Sequence, residues 1–175
     1  MELPLVIELV RVPAIFILGS LFHFIYKYAG KKKWMAIISP VNESIWEHLK
    51  IAFYPALLFT LFQMLVLKDL RANFLTAELI GIYSMLLFIL IAEFIYPSIL
   101  KKNVLAIDLS VFFLAIVTSQ VVSCFVITNQ QQIIIPDSYI ALVLVIQVII
   151  FTLFSFRPPR IPLFKDSVDD KYGIK

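Results

Sequence analysis

The sequence predicts an all-α, polytopic transmembrane helix bundle of five spans, and three observations carry the prediction. Of its 175 residues, 61% are hydrophobic and only 15% charged, against about 25% charged in an ordinary soluble domain. The apolar residues gather into five runs, each near the roughly 20 residues that cross a bilayer. Short clusters of lysine, asparagine, proline and glycine separate the runs. Too little chain lies between them for a soluble catalytic or nucleic-acid-binding module. The expected organisation is one membrane domain over 1–156 and a proline-containing basic tail over 157–175.

The first span, 5–26, follows Glu2 and contains Glu8, with no basic leader and no small-residue cleavage site after it. It therefore reads as a retained helix, not a removed signal peptide. Gly30 and Lys31 to Lys33 end it, and Trp34 follows; the lysines act as a topology signal or as a contact for anionic headgroups. The second span, 46–67, carries Pro55, which removes a backbone hydrogen bond and bends the helix. The third, 79–99, and fourth, 104–127, are divided by Lys101 to Asn103. In the fourth, Ala115, Ser119 and Ser123 recur every four residues and put small side chains on one face. Such a stripe is a bundle seam or a homo-oligomer contact. Cys124 is the single cysteine, which excludes disulfides and a cysteine-rich zinc site within the chain. Thr128 to Gln132, Pro136 and Asp137 precede the fifth span, 139–156.

Five spans put the two ends of the chain on opposite membrane faces. Lys27, Lys31 to Lys33, Lys101, Lys102, Arg157, Arg160, Lys165, Lys171 and Lys175 fall on one face, and Lys68 and Arg71, with Arg11 near the edge, on the other. The positive-inside rule then predicts an outside amino terminus and a cytoplasmic tail. The net charge of +3 belongs to that face, so membrane lipids are the expected partners and nucleic acid is not.

Ionisable groups at membrane depth are costly and mark candidate sites. His23, Glu47, His48, Glu93 and Asp108 come from four spans, each within roughly 10 Å of the cytoplasmic boundary at 1.5 Å per helical residue. The outer half offers less: Glu8 and Arg11, spaced to pair at i and i+3, with Glu78 at an edge. The densest stretch is Ser-Pro-Val-Asn-Glu-Ser-Ile-Trp-Glu-His-Leu-Lys, 39–50. Ser39 and Pro40 read as an N-cap and first helical residue, which places Glu43, Glu47 and Lys50 on one face and Ser44 and His48 on the next. A competing reading makes Ser44 and Glu47 a capping box.

The expected ligand site is His23, Asn42, Glu43, Glu47 and His48, with Ser44, Lys50, Glu93 and Asp108 contributing. A metal, if held, would use His23, Glu47 and His48, because imidazole and carboxylate suit zinc, iron or manganese. The chain has no His-Glu-x-x-His helix, no G-x-S-x-G elbow and no glycine-rich phosphate loop.

After the last span, Pro158, Pro159 and Pro162 favour extended chain, and Leu163 and Phe164 offer anchors; the tail either caps the polar layer or frays. Gly19 to Tyr26, the 39–50 stretch, and Pro158 to Asp166 with Tyr172-Gly173 resemble the signature segments of a family of small, uncharacterised multi-pass membrane proteins of Firmicutes-type bacteria. The resemblance spans nearly the whole chain. It implies a bacterial inner-membrane protein in which His23, the 39–50 stretch and the tail work together, and it brings no reaction, ligand or partner. The tail departs from the pattern at Ser167 to Asp170, where a proline-containing turn with glycine is expected.

The functional expectation is a cytoplasm-facing polar pocket that binds a ligand, lipid headgroup or ion. Its rivals are an enzyme acting on lipid or lipid-linked substrate, with Glu47 or His48 as general base, and a small proton-coupled or ion transporter. The transporter would need a path past Gln63, Gln120 and Gln147.

Overall fold

A computed structural model describes residues 3–67, 73–101, 104–128 and 135–174, with side chains from residue 10 onward. Five long helices follow in chain order: α1 (Leu3–Tyr28), α2 (Ile45–Val66), α3 (Phe74–Leu100), α4 (Leu105–Thr128) and α5 (Asp137–Phe156). Each is long and apolar enough to cross a membrane, so the chain is a multi-pass, all-α membrane protein. Two short 3₁₀ turns, Lys33–Ile37 and Pro162–Phe164, punctuate the loop before α2 and the tail. The α3 helix begins five residues before the expected start, because Phe74, Thr76, Ala77 and Glu78 are all buried by packing that local sequence does not announce.

α1 packs on α2 and α4, and α3 packs on α2 and α4, so four helices close a ring; α5 lies outside it against α2 and α3. Phe53, Ile82, Met85, Phe112, Ala115 and Ile116 fill the middle of the bundle. Outward side chains are large and apolar, with Leu65, Leu105 and Ile99 among the most exposed. That arrangement suits lipid as solvent and not water.

The small-residue stripe is spent inside this bundle. Ala115, Ser119 and Ser123 are buried against α3, and the Ser123 hydroxyl donates to the Ala77 carbonyl at 2.9 Å. Across the seam, a Cβ on Gly81 would come within 2.9 Å of the Ser119 carbonyl oxygen and would also strike the Ser123 hydroxyl. Of the two readings of the stripe, a seam between helices of one chain is the one this packing fills.

At the amino end of α2 the reading with Ser39 as N-cap fails and the Ser44–Glu47 reading holds in part. Ser44, not Ser39, is the N-cap, accepting from the Glu47 N–H at 3.4 Å. Asn42 Oδ1 accepts from the Ser44 N–H at 3.0 Å. This is half a capping box, with Asn42 taking the place a glutamate would fill. Ser39 instead bonds to α1: its hydroxyl accepts from the Tyr26 N–H at 3.0 Å and donates to the Phe22 carbonyl at 2.7 Å. It thereby pins the 29–44 loop to the turn of α1 that carries His23.

The tail docks. Phe164 is buried against Trp46 and Phe154, with ring centroids 4.9 and 5.2 Å away. The Ile174 N–H donates to the Ser155 carbonyl at 2.9 Å, and Asn42 Nδ2 to the Gly173 carbonyl at 3.2 Å. The Ser167 hydroxyl donates to the Glu43 carbonyl at 3.1 Å. The segment that departs from the expected pattern closes a tight turn: Asp166 Oδ1 accepts from the Val168 and Asp169 N–H groups, and Lys165 bridges to Tyr172. Gly173 has φ +67° and lies so close to Ser155 and Pro158 that a Cβ would sit 2.9 Å from Pro158 Cδ, which is the turn the glycine serves.

Candidate functional site

The ends of α1 and α3 and the starts of α2 and α4 meet at one end of the bundle, the end that carries Lys31 to Lys33 and the tail. Here the expected site residues separate into two groups, divided by where α2 starts. Because Glu43 precedes the helix, the helical spacing that aligns it with Glu47 does not apply, and the two carboxylates point to different neighbours.

Glu47 and Lys50 form the closed group. Lys50 Nζ lies 2.9 Å from Glu47 Oε2, donates to the Ala36 carbonyl at 2.7 Å, and bonds to Ser155 of α5. The Ser155 hydroxyl donates to Glu47 Oε1 at 2.6 Å, and the Val41 N–H donates to Glu47 Oε2 at 3.0 Å. Glu47, Lys50 and Ser155 are all buried. Loss of either partner of such a buried pair strands the other charge; this one ties α2, α5 and the 29–44 loop together. Glu47 is thus bonded to Lys50, Ser155 and Val41, and the carboxylate facing both histidines is Glu43.

The open group is His23, Glu43 and His48. Glu43 Oε2 lies 3.2 Å from His48 Nε2, and Glu43 Oε1 lies 3.6 Å from His23 Nε2. The two imidazole centroids are 5.7 Å apart. All three side chains are partly exposed, by 22 to 44%. They line a cavity of about 350 Å³ together with Glu93 of α3 and Asp108 of α4. His48 lies in the field of Glu43, Glu93 and Asp108. The Tyr96 hydroxyl donates to Asp108. Ile51, Ile89, Val111 and Phe112 form the apolar wall, and Phe24, Leu105 and Leu109, all exposed on the outer surface, stand at the rim between α1 and α4.

A second cavity of about 420 Å³ adjoins the first and shares His23, Phe24 and Glu43 with it. Its walls come from Lys27, Lys31, Asn42 and the tail residues Asp166, Val168 and Asp169. Asn42, placed in the ligand set by sequence, holds the loop and tail in place, and Ser44 caps α2. Glu93 and Asp108, ranked as contributors, share the cavity with both histidines.

Sequence reasoning missed three participants. Ser155 and Tyr96 are single polar residues inside apolar runs and carry no local signal. The third is a polar cluster in the opposite half of the bundle, where Arg11 is paired with Glu78; the Glu8 side chain, expected to pair with Arg11, lies outside the described residues. Thr60 donates to Glu78 Oε2 at 2.8 Å. The early start of α3 moves Glu78 inside the bundle, away from the edge the apolar run suggests. Of the three glutamines, Gln63 is buried in α2, Gln147 accepts from the Tyr83 hydroxyl at 3.1 Å, and the Gln120 amide reaches Cys124 on α4.

Residues 5–174 match the profile of a family described as a family of unknown function (DUF6512). The chain belongs to the DUF6512 family. The match runs through both cavities, the Glu47–Lys50–Ser155 joint and the docked tail, so the elements that build the site all lie within the region that defines DUF6512. No curated protein and no solved structure matches the chain.

Proposed function

We propose that this DUF6512 protein binds an amphipathic, lipid-like molecule in the cavity between α1, α2, α3 and α4, with the molecule's polar end against His23, Glu43, His48, Glu93 and Asp108. One observation carries the reading. The cavity joins convergent polar groups to an apolar wall, and its lining residues Phe24, Leu105 and Leu109 are exposed on the outer surface of the bundle. A concave, mostly apolar site with a few convergent polar groups is the usual form of a small-molecule pocket. The family resemblance implies a bacterial cytoplasmic membrane, and the distribution of lysine and arginine supports an amino terminus outside with the histidine end and tail facing the cytoplasm. In that setting the membrane domain, 1–156, supplies the cavity, and the tail, 157–175, walls the adjoining cavity that shares His23, Phe24 and Glu43.

Native mass spectrometry of the full chain released from mild detergent tests this. The wild type is expected to retain lipid-sized ligand, and Leu109→Trp, which fills the rim, to lose most of it. Leu153→Trp, on the exposed face of α5, is expected to keep it. A wild type that carries nothing, or a Leu109→Trp variant that retains as much as wild type, overturns the reading.

A further inference from the structure

We infer that His23, Glu43 and His48 form a binding site for one divalent transition-metal ion. Sequence spacing does not suggest this set, because the three residues come from α1, the loop and α2, and only the N-cap at Ser44 turns Glu43 toward the two imidazoles. Their ligand atoms lie within 4.8 Å of one another. A tetrahedral ion with bonds of about 2.0–2.1 Å separates its ligand atoms by roughly 3.3–3.4 Å. Each carboxylate oxygen of Glu43 faces one imidazole, Oε2 at 3.2 Å from His48 Nε2 and Oε1 at 3.6 Å from His23 Nε2, separations of the size such an ion imposes. Two imidazoles and one carboxylate are a donor set of catalytic zinc and of non-haem iron sites, both of which keep coordination positions open.

The same cavity gathers two further carboxylates, Glu93 and Asp108, around the histidines, and anionic side chains at membrane depth favour a cation beside them. The partial exposure of all three ligands leaves the ion a route in, and the open positions would be shared with the cavity that holds Glu93 and Asp108. The inference stands on the ligand geometry, whatever else the cavity holds.

The test uses the full chain, purified without a histidine tag, stripped with chelator and titrated with zinc, manganese or ferrous ion alone. One ion per chain is expected for at least one of the three, together with a rise in thermal unfolding temperature on binding. His23→Ala, His48→Ala and Glu43→Gln are each expected to lose at least the affinity that loss of a supporting hydrogen-bond partner costs, about 10–100-fold. Tyr83→Phe, which removes a hydroxyl bonded to Gln147, should bind as the wild type does. Absence of stoichiometric binding by the wild type to all three ions overturns the site, as does undiminished binding by a His23→Ala/His48→Ala double variant. The wild-type thermal shift needs no variant to fold, so a poorly folding variant leaves the proposal exposed to failure. Failure of lipid retention with intact metal binding would remove the reading of the cavity and leave the metal site standing.

Discussion

Single side chains in this protein divide into those that close a charge and those that leave one open. Arg11 and Glu78 are both buried and paired, and removing one partner of such a pair strands the other. Glu78→Gln is therefore expected to destabilise the bundle by about 3–5 kcal/mol, read as a lowered unfolding temperature in detergent. The double variant Arg11→Met/Glu78→Leu should recover most of the loss, and equal losses in the single and double variants would contradict the pairing. Lys165 is the opposite case. Its ammonium bonds to Asp170 at 2.6 Å on the surface, and that bond raises its pKa above the usual lysine value. The sign follows: any stability it lends is present below the unfolded-state value and fades only as pH rises through the folded one, in the alkaline range. An exposed pair is screened, so Lys165→Ala is expected to leave the unfolding temperature unchanged at neutral pH. The sequence makes His23, Glu43 and His48 candidates by composition and depth alone. It does not decide between Glu43 and Glu47 as the histidines' neighbour, since each carboxylate's direction depends on where α2 begins.

Helices and segments respond according to what their close approaches require. The α3–α4 seam depends on Gly81 facing Ser119 and Ser123. Gly81→Val forces side-chain volume against backbone and should cost about 1–3 kcal/mol, as overpacking does, measurable by the same thermal assay. The tail depends on Gly173, whose positive φ and contact with Pro158 and Ser155 exclude a larger residue. Gly173→Val should release the tail, which limited proteolysis after Phe164 would report, with little effect on the five helices; unchanged protease resistance would contradict the docked arrangement. All five apolar elements are legible in the sequence because helix length and lipid exposure follow from runs of side chains. The ends of α2 and α3 are not. They are set by Asn42, Ser44 and Glu78 finding partners, and those partners lie on other elements or in non-helical chain.

At the scale of the whole molecule, the bundle carries an apolar middle between a polar, accessible end and the buried Arg11–Glu78 pair of the opposite half. If the accessible end is cytoplasmic, a reporter fused after residue 175 should be active only when confined to the cytoplasm; periplasmic activity would reverse the orientation argued from lysine and arginine placement. Sequence by itself determined the solvent, the number of helices and the grouping of the basic residues, because each follows from composition read along the chain. Tertiary structure alone decided that Ser155 completes the Glu47–Lys50 joint from 108 residues away and that Asn42 holds Gly173 from 131 residues away. It alone decided, too, that Arg11 meets Glu78. Such contacts join groups with no common period, so local spacing carries no trace of them; only the packing of helices around a shared core brings them within hydrogen-bond reach.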